Sequence, residues 1–538
     1  MNGLMMNRPL TINMIMEHAE RYHPHREIVS VTKDNPRHRY CYADAFSRVR
    51  QLANALNNLG AKMGEPIATL AWNDYRHFEI YYATSCNGMV CHTINPRLFE
   101  DQLRYIINHA GDKLLFTDPA FIPLLEQLVP RLDKVPTLIV LSDKANMPNS
   151  ETLELLCYEV LLEGESDQIE WPELDENTAS SLCYTSGTTG NPKGVLSSHR
   201  ATVLHAYAEA LPDAFNLSCT DSVLPVVPMF HASAWGVAYS AAMVGAKLVF
   251  PGPKMADGEV LHDLMENEQV TLALGVPTVW LALLNYLREN KLTLSTLNRT
   301  VVGGAACPAS IMDEFRERYG VTTHHAWGMT ELNPLGTINT PTAEWSELSE
   351  AQQAEQRAKQ GRGICGIELK IVDEENRQQP WDGQSFGSLK VRGSWVCSGY
   401  FKLEGESEAH QKDGWFDTGD VATIDESGFM NIVDRTKDLI KSGGEWISSI
   451  ELENIVMNHP GVQEAAVISM PDDNWTERPL LIVVPVLNSE VKSSDLLEYY
   501  SGKIAKWSIP DKVIFVDELP HTATGKISKL QLRKQIIG

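Results

Sequence analysis

The chain has 538 residues, more than one compact core usually holds, and 43% of them are apolar. Its 46 basic and 70 acidic side chains give a net charge of −24, a surface that repels phosphate backbones and anionic lipid and so argues against a general nucleic-acid or membrane role. The nine cysteines are odd in number and none form a Cys-x-x-Cys pair, which argues against a disulfide framework and a zinc site.

In chain order, Met1 to Arg8 has no apolar core of the kind a signal peptide needs. No run approaches the roughly 18 apolar residues of a membrane span, so a soluble, cytoplasmic chain is expected. Residues 43–59, stopped by Gly60, are predicted to form a helix. The apolar runs at 66–72, 137–141, 247–250, 271–274 and 300–302 read as buried strands, and 179–184 reads as another. Their alternation with amphipathic stretches predicts layered α/β structure with largely parallel sheets. Residues 345–362, rich in Gln, Glu and Ala, read as a surface helix. After about residue 385 the strands at 388–392 and 429–433 suggest a more antiparallel section. A short charged stretch, Asp434-Arg-Thr-Lys-Asp438, then precedes Lys441-Ser-Gly-Gly444, a pattern that suits a hinge and a loop. Ser448 to Glu451 is a capping box opening a helix to about Asn458, and 463–470, 480–486 and 512–516 read as strands. The expected organisation is a large N-terminal domain of layered α/β subdomains (1–434), a hinge (435–438) and a small α+β C-terminal domain (439–538).

The densest chemical signal is Tyr184-Thr-Ser-Gly-Thr-Thr-Gly-Asn-Pro-Lys-Gly194. Glycines let backbone N–H groups curl round an anion, and Thr185, Ser186, Thr188, Thr189 and Lys193 add donors beside Gly187 and Gly190. This composition suits a phosphate-holding loop, although the spacing is not that of a Walker A loop. An ordinary Gly/Ser/Thr surface turn has the same composition, and the segment alone does not separate the two.

The segment resembles the signature loop of the adenylate-forming superfamily, and the resemblance continues in order down the chain. Gly303-Gly-Ala-Ala306 resembles its adenine-contacting loop. Ala326-Trp-Gly-Met-Thr-Glu331 resembles its aromatic-Gly-x-Thr-Glu motif, with Trp327 where tyrosine is commoner. Trp415-Phe-Asp-Thr-Gly-Asp420 resembles its ribose motif, 434–438 its interdomain hinge, and Thr522-Ala-Thr-Gly-Lys-Ile527 its catalytic-lysine loop. The resemblance implies an AMP-forming acyl-CoA synthetase that uses ATP, Mg²⁺ and coenzyme A. It implies that the Thr185–Lys193 loop holds the β- and γ-phosphates, that Gly304, Ala305, Ala326, Trp327, Gly328 and Met329 surround the nucleotide, and that Asp420, with Arg435 beside it, takes the ribose. Thr330 is expected at the α-phosphate, Thr185 and Glu331 at the metal, and Lys526 between the carboxylate and the α-phosphate.

Pro228-Met-Phe-His-Ala-Ser-Ala-Trp235 resembles the segment lining the acyl pocket, which implicates His231, Ala232 and Trp235, with Gly303 and His325 also lining the acid site. Lys441, Gly443, Gly444, Glu445 and Trp446 resemble the glycine loop that receives coenzyme A. Lys437 occupies the hinge position, and Glu477 is read as a group that could orient the thiol. The combination is most like medium- or long-chain fatty-acyl-CoA synthetases and equally like ligases for 3-(methylthio)propionate. A non-catalytic nucleotide-binding protein is the alternative from another class. Expected partners are therefore small molecules, with no nucleic acid and no integral membrane association, and a homodimer is compatible with the resemblance.

Overall fold

Strands buried on both faces must be apolar along their whole length, which is why short uninterrupted Val/Leu/Ile runs become the centres of parallel sheets. The computed structural model describes residues 1, 3–185, 191–403, 409–410, 413–443, 445–487, 489–521 and 527–537. Among these, the strands form four sheets. A seven-stranded sheet runs in the order Leu155–Cys157, Thr137–Val140, Leu114–Thr117, Pro66–Leu70, Val90–Thr93, Ala179–Thr185, Lys193–Ser198, and only its last pair is antiparallel.

The larger, nine-stranded sheet follows the order Arg362–Gly363, Leu335–Ile338, Thr322–Gly328, Arg299–Val302, Leu272–Gly275, Ser222–Pro225, Lys247–Phe250, Glu27–Ser30, His38–Cys41. Its centre is parallel and both edges are antiparallel. The predicted strands at 66–72, 137–141, 247–250, 271–274 and 300–302 all fall in these two sheets. The predicted helix is Tyr42–Asn58, and Gly60 beyond it adopts a φ of +81°.

Two antiparallel sheets follow. One joins Ile367–Val372, Phe386–Gly393, Phe416–Ile424 and Met430–Arg435. The other holds Ile440–Ser442, Glu445–Ile447, Val462–Asp472 and Thr476–Pro485, with Lys512–Phe515 added in parallel. The Ser449–Met457 helix packs on this last sheet, and Ser448 caps it by accepting the Glu451 N–H at 3.0 Å. No helix among the described residues is long and apolar enough to cross a membrane.

One element differs from the expectation. Residues 345–362 are not a single surface helix: a short 3₁₀ turn, Trp345–Glu347, precedes the helix Glu350–Ala358, and Arg362 and Gly363 form an edge strand. Ser349 accepts the Gln352 N–H and restarts the helix. Gly361 ends the segment at φ +88°, where a side-chain carbon would lie 2.0 Å from the Ile338 carbonyl. The helix is also not wholly superficial, because its Gln356 is buried and its carbonyl accepts Asn339 Nδ2 at 2.5 Å.

A second helix, His199–Ala210, is buried along most of its length, with Tyr207 exposed, and packs on the short helix Val237–Val244. It carries Glu209 with no solvent exposure, and among the described residues neither carboxyl oxygen has a hydrogen-bond partner. Burial pushes this carboxyl well above the ordinary carboxylate range. A carboxyl whose folded value is raised stabilises the protein fully only below its unfolded value, and that stability is lost as pH rises towards the folded value. Glu209→Gln removes the titration and keeps the shape. Its unfolding free energy, from calorimetry, is therefore expected to gain on wild type between pH 5 and pH 8, by up to about 1.4 kcal/mol per pH unit until the raised value is reached. An identical difference at both pH values would show that Glu209 is ionised in the fold.

Candidate active site

The ends of the central strands bring the chemically distinctive residues together. Thr185 ends one strand of the seven-stranded sheet and Lys193 begins the next, and the two are register partners. Ser186, Gly187, Thr188, Thr189 and Gly190, in the loop between them, lie outside the described residues, as do Gly444 and Lys526. Lys193 Nζ sits 4.9 Å over the Tyr400 ring, and the Tyr400 hydroxyl donates to Glu331 Oε1 at 3.0 Å. These contacts join the phosphate-loop lysine to the buried glutamate through one aromatic ring.

Glu331 follows the strand Thr322–Gly328 in a 3₁₀ turn that also holds Thr330. It is 8% exposed. Burial raises its carboxyl, opposed by the Tyr400 hydrogen bond and by the charges of Arg435 and Lys193. The Cys397 N–H donates to the Glu331 carbonyl at 2.8 Å, which fixes its backbone as well.

The second cluster is built on Asp420, which is 2% exposed. Trp327 Nε1 donates to Asp420 Oδ2 at 2.9 Å, and Arg435 Nε pairs with Oδ1 at 2.6 Å. Asp420 and Arg435 are register partners on adjacent antiparallel strands, so the pair is set by the sheet itself. The Trp327 ring packs over Gly336, where a side-chain carbon would lie 2.5 Å from it. Ala326, Gly328 and Met329 flank Trp327 on its strand and turn. The Gly303–Ala305 loop leaves the neighbouring strand, with Gly304 at φ +80°, and Gly303 approaches the Ala326 carbonyl closely.

Residues 434–438 lie between two sets of anchors. The Thr436 N–H donates to the Gly419 carbonyl at 3.0 Å, next to the Asp420–Arg435 pair. On the other side, Arg533 pairs with Asp438 at 2.8 Å. Lys437 is the residue between them. Asp434, meanwhile, accepts the Ser449 N–H at 2.6 Å and so holds the start of the Ser449–Met457 helix.

The segment expected to face the acid adopts an unusual path. Ala232, Ser233, Ala234 and Trp235 all have φ between +46° and +59°, and Gly236 follows at +85°. Left-handed backbone costs about 1–2 kcal/mol per non-glycine residue, so the surroundings must impose it. Asn73 holds the approach, accepting the Met229 N–H at 2.6 Å and donating to the Val227 carbonyl at 2.7 Å. The Tyr81 hydroxyl donates to the Met229 carbonyl. His231 precedes the turn. The Trp235 ring lies over Gly303, where a side-chain carbon would be 3.1 Å from it.

His325, read as an acid-site residue, is buried with Nδ1 3.0 Å from the Ala358 carbonyl, and burial lowers it to about 4, so its ring is neutral and tied to the backbone. On the small domain, the Lys441 N–H donates to Glu477 Oε2 at 2.9 Å, and Lys441 Nζ lies 4.2 Å over the Trp446 ring. Gly443, at φ +61°, donates to the Trp475 carbonyl at 2.8 Å, and a side-chain carbon there would meet the Trp475 ring at 2.4 Å. Glu445 pairs with Ser442 across the hairpin. Tyr400, Asn73 and Trp475 were not singled out in the sequence, because one tyrosine, asparagine or tryptophan carries no local pattern.

Among the described residues no three His, Cys, Asp or Glu side chains cluster as a metal cage. The chain matches the family described as AMP-binding enzyme over residues 16–401 and the AMP-binding enzyme C-terminal domain over 451–526. It is 51% identical over 535 residues to a medium-chain-fatty-acid–CoA ligase of Ectopseudomonas oleovorans, covering 99% of this chain and 97% of that one. It is also 51% identical over 535 residues to a 3-methylmercaptopropionyl-CoA ligase of Ruegeria lacuscaerulensis, covering 99% of each. A crystal structure of the anthranilate CoA ligase AuaEII in complex with anthranoyl-AMP superposes with a TM-score of 0.87 at 24% identity, covering 98% of both chains, a likeness of fold.

Trp327→Phe keeps an aromatic ring and removes only the donor to Asp420. A hydrogen bond to a charged group contributes about 1.5–3 kcal/mol, so AMP binding by titration calorimetry is expected to weaken roughly ten- to a hundredfold. Unchanged affinity would show that the indole N–H does not hold the carboxylate for a ligand.

Proposed function

The chain belongs to the AMP-binding enzyme family and is an AMP-forming acid–thiol ligase, and from that premise we propose that it activates an aliphatic carboxylic acid at the junction of Trp235, Gly303 and Ala326. The observation that carries this reading is the contact of the Trp235 ring with Gly303, which sets the wall of an acid pocket against the loop assigned to the nucleotide.

A carboxylate is a poor acyl donor because its leaving group is oxide. In the first half-reaction its oxygen attacks the α-phosphorus of ATP, the bond to the β-phosphate breaks and pyrophosphate leaves. Negative charge crowds at that centre, so cations and N–H donors must be in place beforehand. Lys193 and the 185–193 loop hold the β- and γ-phosphates in this reading, and Thr330 reaches the α-phosphate. The Trp327 ring lies against adenine with Gly304 and Ala305, while Asp420 accepts from the ribose hydroxyls. Lys526 bridges the carboxylate and the α-phosphate.

Mg²⁺ takes one or two carboxylates and completes its shell with phosphate oxygens and water. The donor set fits that habit: Glu331 is one buried carboxylate, Thr185 ends the adjoining strand, and neither is part of an all-protein cage. Glu331 and Thr185 would hold the ion, whose charge would offset that of the phosphates. Burial raises the Glu331 carboxyl, and the cations around it favour the charged form that a metal needs.

In the second half-reaction the thiol of coenzyme A attacks the acyl carbon and AMP departs. We assign Lys437 as the pivot, since Thr436 is tied to the large domain and Asp438 to Arg533 of the small one. Rotation there exchanges Lys526 for the Lys441–Trp446 loop. Gly443 and Gly444 let the pantetheine arm approach the backbone, and Glu477, which orients Lys441, lies at the base of that loop.

Two acid classes are in view. A fatty acid is the first. An acid as short as 3-(methylthio)propionate suits a pocket bounded by the Trp235 ring, which rests on Gly303. A panel of carboxylic acids scored by thioester formation separates the two.

The division of labour is tested by Lys526→Ala. Loss of one preorganised contact to a developing charge costs about 2.7–4 kcal/mol, roughly a hundred- to thousandfold. Acyl-adenylate formation is expected to fall by that factor, while thioester formation from supplied acyl-AMP stays near wild type. Equal losses in both half-reactions would contradict an adenylation-specific role.

A further inference from the structure

The left-handed turn at Ala232–Gly236 rests on the helix His199–Ala210. That helix presents His205 and Glu209, one turn apart, to the backbone of Gly236. A side-chain carbon at Gly236 would lie 2.7 Å from the His205 ring and 3.3 Å from Glu209 Oε2, so only glycine fits and the turn sits directly on both side chains. His205 is pinned in turn: its Nε2 accepts the Leu335 N–H at 3.1 Å, and Trp395 stands edge-on to its ring at 6.0 Å.

Glu209 has no such explanation in the fold. It is fully buried, and among the described residues neither of its oxygens has a hydrogen-bond partner. The hydroxyl facing it is that of Ser240, on the helix that the turn leads into, a weak contact that opposes the rise of that carboxyl without forming a well-aligned hydrogen bond. A buried carboxyl in this state is costly, and an apolar residue would fill the same helical position more cheaply. The carboxyl therefore lies, unused by the hydrogen-bonding of the fold, under the strained segment that places Trp235 on Gly303.

We propose that Glu209 is a positioning residue for acid selection, whose carboxyl acts through Gly236 to hold the 232–236 turn left-handed and so keeps Trp235 closed over Gly303. This rests on the reading that Trp235 bounds the acid pocket. Shortening Glu209 removes the support beneath Gly236. The turn then relaxes, the indole leaves Gly303, and the pocket admits a longer chain. The effect is confined to the acid, because among the described residues the hydrogen bonds and ion pairs of the Asp420 and Glu331 carboxyls run to Trp327, Arg435 and Tyr400 and none to Glu209.

The test is kcat/KM by pyrophosphate release for unbranched acids from propionate to dodecanoate, with 3-(methylthio)propionate, in wild type, Trp235→Ala, Glu209→Ala and Glu209→Gln. Trp235→Ala and Glu209→Ala are both expected to shift preference towards longer acids, by roughly fourfold for each newly buried methylene, with the KM for ATP unchanged. Glu209→Gln keeps the shape of the support and is expected to retain the wild-type profile. A shift in Trp235→Ala together with a uniform loss for every acid in Glu209→Ala would overturn the proposal and leave the pocket reading standing. No shift in Trp235→Ala would remove the pocket reading and the proposal with it. Should Glu209→Ala fail to accumulate as folded protein, Glu209→Asp withdraws the carboxyl by one methylene and carries the same comparison: an intermediate shift supports the proposal, and an unaltered profile overturns it.

Discussion

The carboxylate of Asp420 joins the nine-stranded sheet to the antiparallel sheet beside it. Trp327 of the nine-stranded sheet donates to one of its oxygens, and Arg435 of the antiparallel sheet pairs with the other. Asp420 is buried, so its charge depends on polar partners, and these are two of them. Arg435 is the last residue of its strand, two residues before Lys437. Any ligand that draws on Asp420 therefore also acts on the segment where the small domain begins. Asp434, one residue earlier, is already committed to the Ser449–Met457 helix. If Asp420 takes the ribose as proposed, nucleotide binding and the orientation of the small domain share one carboxylate and a few residues of backbone.

The same economy of contacts explains the glycines that matter. Gly303 leaves room for the Trp235 ring, Gly336 for Trp327, and Gly443 for Trp475. In each case a tryptophan occupies the place of the missing side chain. The proposed acid wall, the proposed nucleotide wall and the loop assigned to coenzyme A each have an indole laid on a bare backbone, which gives a large rigid surface with little conformational freedom to lose.

Much of this architecture was legible in the chain. The strands of the two large sheets are apolar on both faces, and no surface element imitates that pattern. The 179–184 strand and the 185–193 loop stood out because hydroxyls, glycines and a lysine rarely crowd so closely. The 345–362 segment misled because its polar composition hides the break: the cap at Ser349 is local, but the left-handed turn at Gly361 and the burial of Gln356 depend on contacts with residues 338 and 339. Glu209 gave no signal at all. A glutamate in a helix is ordinarily a solvated residue, and only the packing of its face of the helix under the 232–236 turn makes it exceptional. Tyr400 was equally silent, since its role comes from lying between Lys193 and Glu331, which are 138 residues apart in the chain.

In this reaction adenylation precedes thiol transfer as a separate, reversible step. Isotope exchange between labelled pyrophosphate and ATP measures that step alone. The expected result is exchange that requires a carboxylic acid, proceeds without coenzyme A, and turns into net release of AMP and pyrophosphate when coenzyme A is added. Exchange that ignored the acid, or release of orthophosphate and ADP in its place, would contradict it.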